Sequence, residues 1–95
     1  MIKLISKEEL RKKMIELQNQ NKKFVFTNGC FDLLHPGHVL YLKDTKKLGD
    51  YLILALNTDA SVHRLKGTTR PIFSENERAE ILSGLACIDF VCFFD

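Results

Sequence analysis

Hydrophobic residues follow a helical spacing in some stretches of the chain and form short, almost unbroken apolar runs in others. Behind a capping box of Ser6 and Glu9, apolar side chains recur at helical spacing, which predicts an amphipathic helix over residues 7–19. The β-favouring run 23–27 then stops at an Asn-Gly pair. This pattern predicts a first strand followed by a turn.

The middle of the chain predicts a second helix, a second strand and a loop. Pro36 suits the first turn of a helix and Gly49 suits a left-handed C-terminal cap, so we expect a helix over residues 36–48. The apolar run 51–56 is typical of a strand that is covered on both faces of a parallel sheet. Residues 57–73 are polar and lack a clear period, and we interpret them as a functional loop.

The last part of the chain predicts one more helix and one more strand. Ser74 and Glu77 form a second capping box that begins a helix to about Leu85, and an apolar strand follows over residues 88–94. Strands that alternate with helices through short connections predict an α/β, Rossmann-like three-layer fold with a parallel sheet. Because nothing in the sequence follows the last strand to cover its edge, we expect only the first half of such a domain, with a leading N-terminal helix.

Composition and charge narrow the class of protein. With 45% hydrophobic and 27% charged residues, the 95-residue chain is typical of one ordered, soluble domain. The net charge of +2 is too small to attract nucleic acids or membranes over the whole surface, so we expect neither as a partner and leave a homo-oligomer open. An odd number of cysteines without zinc spacing, and the lack of a signal peptide, favour the cytoplasm.

Residues 27–38, with the sequence Thr-Asn-Gly-Cys-Phe-Asp-Leu-Leu-His-Pro-Gly-His, run from the end of the first strand into the start of the second helix. Free amides and the positive end of the helix dipole attract anions at such a position, and Gly29 and Gly37 let a nucleotide approach the backbone. His35 and His38 are close to one helical turn apart, so both imidazoles can point at the same phosphate. Two such donors suit the charge that builds up during phosphoryl transfer.

Other interpretations of these residues stay open at this point. Lys46 lies two turns after His38 and can project along the same helix toward the site, or it can be an ordinary solvated lysine. The histidine pair together with Asp32 and His63 could also supply zinc ligands. The strand, glycine turn and helix around the histidines favour phosphate over metal.

The His-x-Gly-His motif, preceded by Gly-x-Phe-Asp at a strand end, resembles the signature of the cytidylyltransferase-like nucleotidyltransferases of the HIGH superfamily. Within that family, three blocks in the same order, residues 27–38, 46–67 and 70–82, are similar to the adenylyltransferase domain of ADP-heptose synthases, RfaE domain II. The similarity extends from Ser6 to Asp95, so it covers nearly the whole chain.

The resemblance implies a reaction and a set of site residues. A sugar 1-phosphate, heptose 1-phosphate in lipopolysaccharide core synthesis, would attack the α-phosphorus of ATP and release pyrophosphate, with Mg²⁺ carried by ATP and held by no direct protein ligand. The residues expected to stabilise the phosphates are His35, His38 and Lys46. Those expected to line the nucleotide and phosphate pocket are Asn28, Gly29, Phe31, Asp32, Gly37, Lys66, Arg70 and Arg78. The residues expected to face the acceptor sugar are Asn57 and Asp59.

For two of these residues the resemblance implies alternative roles. Asp32 would brace the loop or sit near the Mg²⁺ ion, and Arg78 would reach the phosphates or cap its own helix.

Two departures from the family pattern accompany the resemblance. The chain resembles the stand-alone form of the enzyme, so we expect no sugar kinase domain ahead of residue 1. A Ser/Thr-rich motif of the ISTT type, which binds the triphosphate in the superfamily, does not occur in residues 1–95. One alternative is a sister enzyme that uses CTP with glycerol 3-phosphate or ATP with FMN. The other, which follows from the missing motif, is a truncated nucleotide-binding module without turnover. We expect residues 1–95 by themselves to be inactive or nearly so.

Overall fold

The computed structural model describes residues 3–95, which form four helices and three parallel strands. The helices are α1 (Lys7–Asn19), α2 (Pro36–Lys46), α3 (Asp59–Lys66) and α4 (Glu75–Ser83). The strands β1 (Phe24–Gly29), β2 (Tyr51–Asn57) and β3 (Phe90–Phe94) form one parallel sheet in the order β1–β2–β3. The predicted α/β architecture with a parallel sheet and a leading helix is confirmed.

The sheet has helices on both of its faces, because successive side chains of a strand point to opposite sides. Leu52, Leu54 and Leu56 of β2 pack on one face in a buried cluster with residues of α2 and α4. Ile53 packs on the other face with Leu17 of α1. A fully buried side chain of this kind stabilises the fold by about 1.5–3 kcal/mol relative to an exposed one. This three-layer packing explains the almost unbroken apolar run of β2.

The carboxyl ends of the strands meet at one edge of the sheet. In the parallel register, Gly29 of β1 lies beside Leu56 of β2, and Asn57 of β2 lies beside Phe94 of β3. α2 begins at this edge and runs back along the sheet, so its first turn is next to the carboxyl ends of the strands. Ligands of open parallel sheets bind in the crevice outside these ends.

Serine caps begin the first and the last helix, as the sequence predicts. Ser74 and Glu77 form a complete capping box at the start of α4. At α1, the Ser6 side chain accepts a hydrogen bond from the backbone N–H of Glu9, while the Ser6 hydroxyl donates to the Glu9 carboxylate. α4 ends at Ser83, slightly before the predicted residue.

The segment after β2 contains a helix that the sequence pattern did not predict. α3 begins behind Thr58, whose side chain accepts a hydrogen bond from the backbone N–H of Ser61, and it buries Ser61 and Val62. With 8 residues, α3 makes about two turns, which are too few for a helical period to show in the sequence. The prediction of a loop over residues 57–73 is therefore wrong for residues 59–66.

α2 ends at Lys46, and Gly49 is not a left-handed cap. Gly67 is the only glycine with a positive φ among residues 3–95. Gly49 is required for a different reason, since a Cβ there would lie 2.7 Å from the side chain of Val25 and 3.0 Å from the carbonyl oxygen of Lys23. The close approach of this turn to the start of β1 therefore excludes a side chain.

β1 is longer, and the edge of β3 is better covered, than the sequence predicts. β1 continues through Asn28 and Gly29, because both residues pair with β2. On the outer edge of β3, Leu4 forms a parallel bridge with Val91, supported by two backbone hydrogen bonds. The expectation that nothing covers this edge is therefore wrong, because residues 3–5 lie along it.

Candidate active site

Two histidines form the N-terminal end of α2. His35 is the N-cap residue, and its Nδ1 atom accepts a hydrogen bond from the backbone N–H of Gly37 at 3.1 Å. The backbone N–H of His35 in turn donates to Nδ1 of His38 at 3.2 Å. A neutral imidazole carries one N–H, and because Nδ1 of each ring is an acceptor, the proton of each ring is on Nε2. Each histidine therefore presents its Nε2–H as a hydrogen-bond donor that has no partner among residues 3–95.

The two imidazole rings stack on each other. Their centroids are 3.8 Å apart with an angle of 26° between the planes. The ring of Phe31 packs edge-on against His38, with the centroids 5.2 Å apart. Burial lowers the pKa of His38 from its usual value of 6.5, and repulsion from the protonated form of His35 and from Lys66 lowers it further. His38 is therefore neutral near pH 7, in agreement with its role as an acceptor at Nδ1.

Gly29 and Gly37 make room for the aromatic rings of this turn. A Cβ at Gly29 would lie 2.6 Å from the ring of Phe31, and a Cβ at Gly37 would lie 2.8 Å from the ring of His35. Phe31 itself has a φ of 47°, in the left-handed region that L-residues rarely adopt. Packing within the turn thus requires both glycines, while the closer approach of a nucleotide to them stays a prediction.

Asp32 connects the histidine turn to the segment between α3 and α4. Its buried carboxylate accepts hydrogen bonds from Nη1 of Arg70 at 2.7 Å and from the backbone N–H groups of Ile72 at 2.8 Å and Phe73 at 3.0 Å. Burial opposes the negative charge, but the two backbone donors and Arg70 outweigh it and hold the pKa of Asp32 below its usual 3.8. These bonds brace the segment, as one of the two expected roles of Asp32 requires, while a position near the Mg²⁺ ion stays a prediction.

Arg78 of α4 is buried beneath the carboxyl ends of β1 and β2. Its Nη1 atom donates to the carbonyl oxygens of Cys30 and Asn57, and its Nε atom donates to the carbonyl oxygen of Phe73. Nη2 forms an ion pair with Asp59 at 2.8 Å, and the side chain of Arg78 is 0% exposed. The structure therefore corrects the prediction that Arg78 lines the phosphate pocket or caps its own helix, because its guanidinium ties the two strand ends together instead.

Asn57 and Asp59, the residues predicted to face the acceptor, lie at the end of β2. The buried side-chain amide of Asn57 donates to the Ser61 hydroxyl at 2.7 Å. The side chain of Asp59 is 42% exposed, although it pairs with Arg78. The backbone N–H of Asp59 donates to Glu75 at 2.9 Å. Sequence analysis missed Glu75 because an acidic residue in the first turn of a helix is common and carries no site signal.

Lys46 does not lie with the histidines. Its Nζ atom donates to the carbonyl oxygen of Asp50 at 2.7 Å and forms an ion pair with Asp89. Asp89 also accepts a hydrogen bond from the backbone N–H of Leu52, at the amino end of β2. The last turn of α2 is therefore at the opposite edge of the sheet from its first turn. The prediction that Lys46 projects toward the phosphates is wrong, because this lysine fastens the end of α2 to the sheet.

Lys66 and Arg70 bring positive charge toward the histidine turn. Lys66 ends α3 and is close enough to His38 to lower the pKa of that imidazole. Arg70 pairs with Asp32 and keeps 35% of its side chain exposed. The predicted residues other than Lys46 thus lie at one edge of the sheet: Asn28, Gly29, Phe31, Asp32, His35, Gly37, His38, Asn57, Asp59, Lys66, Arg70 and Arg78.

Residues 3–95 contain neither a cluster of metal-binding side chains nor a membrane-spanning helix. No group of three or more His, Cys, Asp and Glu side chains is placed there to hold a metal ion. The zinc arrangement considered for the histidine pair with Asp32 and His63 therefore does not form. In the same part of the chain, no helix is long and apolar enough to cross a membrane.

Comparison with known sequences identifies the class of protein that this fold and this turn define. The sequence matches the cytidylyltransferase-like family over residues 26–95. The chain therefore belongs to the cytidylyltransferase-like family, whose members are nucleotidyltransferases.

Individual relatives narrow the comparison to proteins of one name. The chain is 55% identical over 93 residues to the bifunctional protein HldE of Syntrophotalea carbinolica, covering 98% of this chain and 19% of that protein. It is 56% identical over 86 residues to the bifunctional protein HldE of Helicobacter pylori strain G27, covering 90% of this chain and 19% of that protein. The chain thus spans about a fifth of the length of these curated relatives, and the resemblance found in the three sequence blocks is confirmed.

A solved structure shares the fold. The crystal structure of the lipopolysaccharide core biosynthesis protein from Thermoplasma volcanium GSS1 has a TM-score of 0.72 and 36% sequence identity with this chain. The match covers 78% of this chain and 59% of that one. The prediction of a Rossmann-like nucleotidyltransferase fold is therefore confirmed.

Proposed function

We propose that the full-length protein transfers AMP from ATP to heptose 1-phosphate and releases pyrophosphate, as a step in ADP-heptose and lipopolysaccharide core synthesis. The observation that carries the proposal is the pair of Nε2–H donors that His35 and His38 present at the first turn of α2. The HldE relatives and the lipopolysaccharide core biosynthesis protein support a sugar phosphate as the acceptor.

The proposed reaction is a direct displacement at the α-phosphorus of ATP. An oxygen of the sugar 1-phosphate forms a bond to this phosphorus while the bond to the oxygen that bridges to the β-phosphate breaks. The electron pair of the broken bond leaves with pyrophosphate, and negative charge builds on the phosphoryl oxygens during the transfer. No side chain of the protein becomes covalently attached to the nucleotide.

The two histidines would stabilise this charge without changing their own protonation. Their Nδ1 atoms are engaged by backbone N–H groups, so each neutral ring can donate from Nε2 to a phosphate oxygen. The backbone N–H groups of His35, Gly37 and His38 are already hydrogen-bonded within this turn, so the attraction for anions at the start of α2 would come from the helix dipole and not from free amides. Donors that are held in place before the reaction cost little reorganisation, and loss of one typically lowers kcat about 10²- to 10³-fold.

Positive charge for the remaining phosphates would come from Lys66 and Arg70, which both lie beside the histidine turn. When bound with ATP, Mg²⁺ neutralises part of the triphosphate charge. Among residues 3–95 no three His, Cys, Asp or Glu side chains are grouped to hold a metal ion, and the oxygens of Asp32 are already hydrogen-bonded, which supports the proposal that the nucleotide carries the ion. The exposed carboxylate of Asp59 would face the hydroxyl groups of the acceptor.

The test is an assay of the full-length protein with ATP, Mg²⁺ and a panel of phosphorylated acceptors, in which released pyrophosphate is measured. We expect release with heptose 1-phosphate. Release with CTP and glycerol 3-phosphate, or with ATP and FMN, would assign the protein to a sister activity instead. Binding of ATP without pyrophosphate release for any acceptor would identify a nucleotide-binding module without turnover and would contradict the proposal.

A further inference from the structure

The segment of residues 67–73, between α3 and α4, is attached to the histidine turn through Asp32. We propose that Asp32 is a positioning residue, whose carboxylate holds this segment in place and thereby presents Arg70 to the phosphates of the nucleotide. The inference rests on the proposed function, because that function supplies the phosphate ligand.

Segment 67–73 is weakly anchored by its own contacts. It contains no helix or strand. Among the described residues, one backbone hydrogen bond lies within the segment, from the N–H of Arg70 to the carbonyl oxygen of Gly67 at 3.3 Å. Ile72 is 58% exposed, so burial of its side chain does little to fix the segment. Much of its attachment therefore comes from Asp32, which accepts hydrogen bonds from the Arg70 side chain and from the backbone N–H groups of residues 72 and 73.

The anchor for these bonds is rigid on the side of the histidine turn. The side chain of Asp32 is 3% exposed and lies between β1 and the start of α2. Both carboxylate oxygens accept hydrogen bonds from backbone N–H groups of the segment, and such charge-assisted bonds are stronger than neutral ones. The Asp32 carboxylate thus fixes the segment to the histidine turn, together with Arg78, which donates to the carbonyl oxygens of both Phe73 and Cys30.

The same carboxylate orients Arg70 without using up its binding capacity. Asp32 contacts Arg70 through Nη1 at 2.7 Å, whereas a guanidinium carries five N–H donors in a planar fork. The arginine side chain remains 35% exposed beside the buried carboxylate. Its other donors can therefore bind a phosphate oxygen while the pair with Asp32 stays intact, so the ion pair directs the cation outward.

The central experiment replaces Asp32 by Asn in the full-length protein. Asparagine has nearly the same shape, but it loses the charge and turns one acceptor oxygen into an NH₂ donor that would face the donors of the segment. We expect the KM for ATP to rise roughly tenfold while kcat stays within about threefold, since Arg70 binds ground state and transition state alike. The matched control is Asp44→Asn, an exposed carboxylate on α2 that pairs with Lys47, and it should change neither constant.

Two further measurements separate positioning from a general structural role. Arg70→Ala should raise the KM for ATP by a similar factor, and the double variant Asp32→Asn with Arg70→Ala should add little to the single ones, because both remove the same interaction. Hydrogen exchange of the backbone amides of Ile72 and Phe73 should accelerate in Asp32→Asn and stay slow in Arg70→Ala, which keeps the carboxylate.

Each outcome decides the matter. A normal KM for ATP in Asp32→Asn, faster amide exchange without a change in KM, or additive effects in the double variant would overturn the proposal. If Asp32→Asn does not fold, Arg70→Ala decides alone, and an unchanged KM overturns the proposal while a raised KM with unchanged kcat supports it. If the wild-type protein shows no turnover, the proposed function fails, and the dissociation constant for ATP then replaces KM in the same comparison.

Discussion

At the scale of single residues, the candidate site depends on the tautomer of two imidazoles. Replacing His38 by Ala removes one Nε2–H donor together with the acceptor of the His35 backbone N–H. We expect kcat of the full-length protein to fall about 10²- to 10³-fold with a much smaller rise in the KM for ATP, because the donor acts mainly in the transition state. Steady-state kinetics of pyrophosphate release checks this. The control His63→Ala changes an exposed residue and should leave both constants unaltered.

The lowered pKa of His38 also links the stability of the domain to pH. Its pKa in the folded state lies below the unfolded value of 6.5, so the unfolded chain binds more protons than the folded one in this range. The stabilisation is complete above about pH 6.5 and is lost as the pH falls through the folded-state pKa. We expect a lower urea midpoint at about pH 5 than at about pH 7.5, and a weaker pH dependence in His38→Gln. A midpoint that rises toward acid would contradict this linkage.

At the scale of secondary-structure elements, the first turn of α2 belongs to the candidate active site, whereas its last turn stabilises the fold. The first turn carries the histidines, and the last turn is fastened by Lys46 to Asp89 and to the backbone of Asp50. Lys46→Met should therefore leave kcat within about twofold and lower the free energy of unfolding by about 1 kcal/mol. The neighbouring Lys47→Met removes an exposed charge and serves as the control. A hundredfold loss of kcat in Lys46→Met would show instead that this lysine acts in catalysis.

Helices whose starts are marked by residues close in sequence could be predicted, whereas α3 could not. Ser74 and Pro36 begin helices for reasons contained in the next few residues, namely a capping box and a missing backbone N–H. α3 has a Thr58 cap but only 8 residues, so its burial of Val62 against the sheet decides that a helix forms. Gly49 was misread because its lack of a side chain serves a contact with β1, which lies far away in the sequence.

At the scale of the whole molecule, a small core depends on the strand that both helical layers share. Leu54 of β2 is 0% exposed within the cluster beneath α2 and α4. Leu54→Ala should lower the free energy of unfolding by about 2–5 kcal/mol, because the cavity adds to the lost burial. Leu48→Ala is the same change at a residue that is 64% exposed, and it should cost less than about 0.5 kcal/mol. Equal urea midpoints for the two variants would contradict this view of the core.

The sequence by itself determined the alternation of strands and helices and the position of the histidine turn, because spacing, caps and the Gly-His motif act between close neighbours. Only the tertiary structure decided the tasks of the charged residues. Asp32 finds Arg70 at a separation of 38 residues, and Lys46 finds Asp89 at a separation of 43. The sequence alone does not show which residue a charged side chain will contact. The parallel crossovers decide this, because they bring distant residues to the same edge of the sheet.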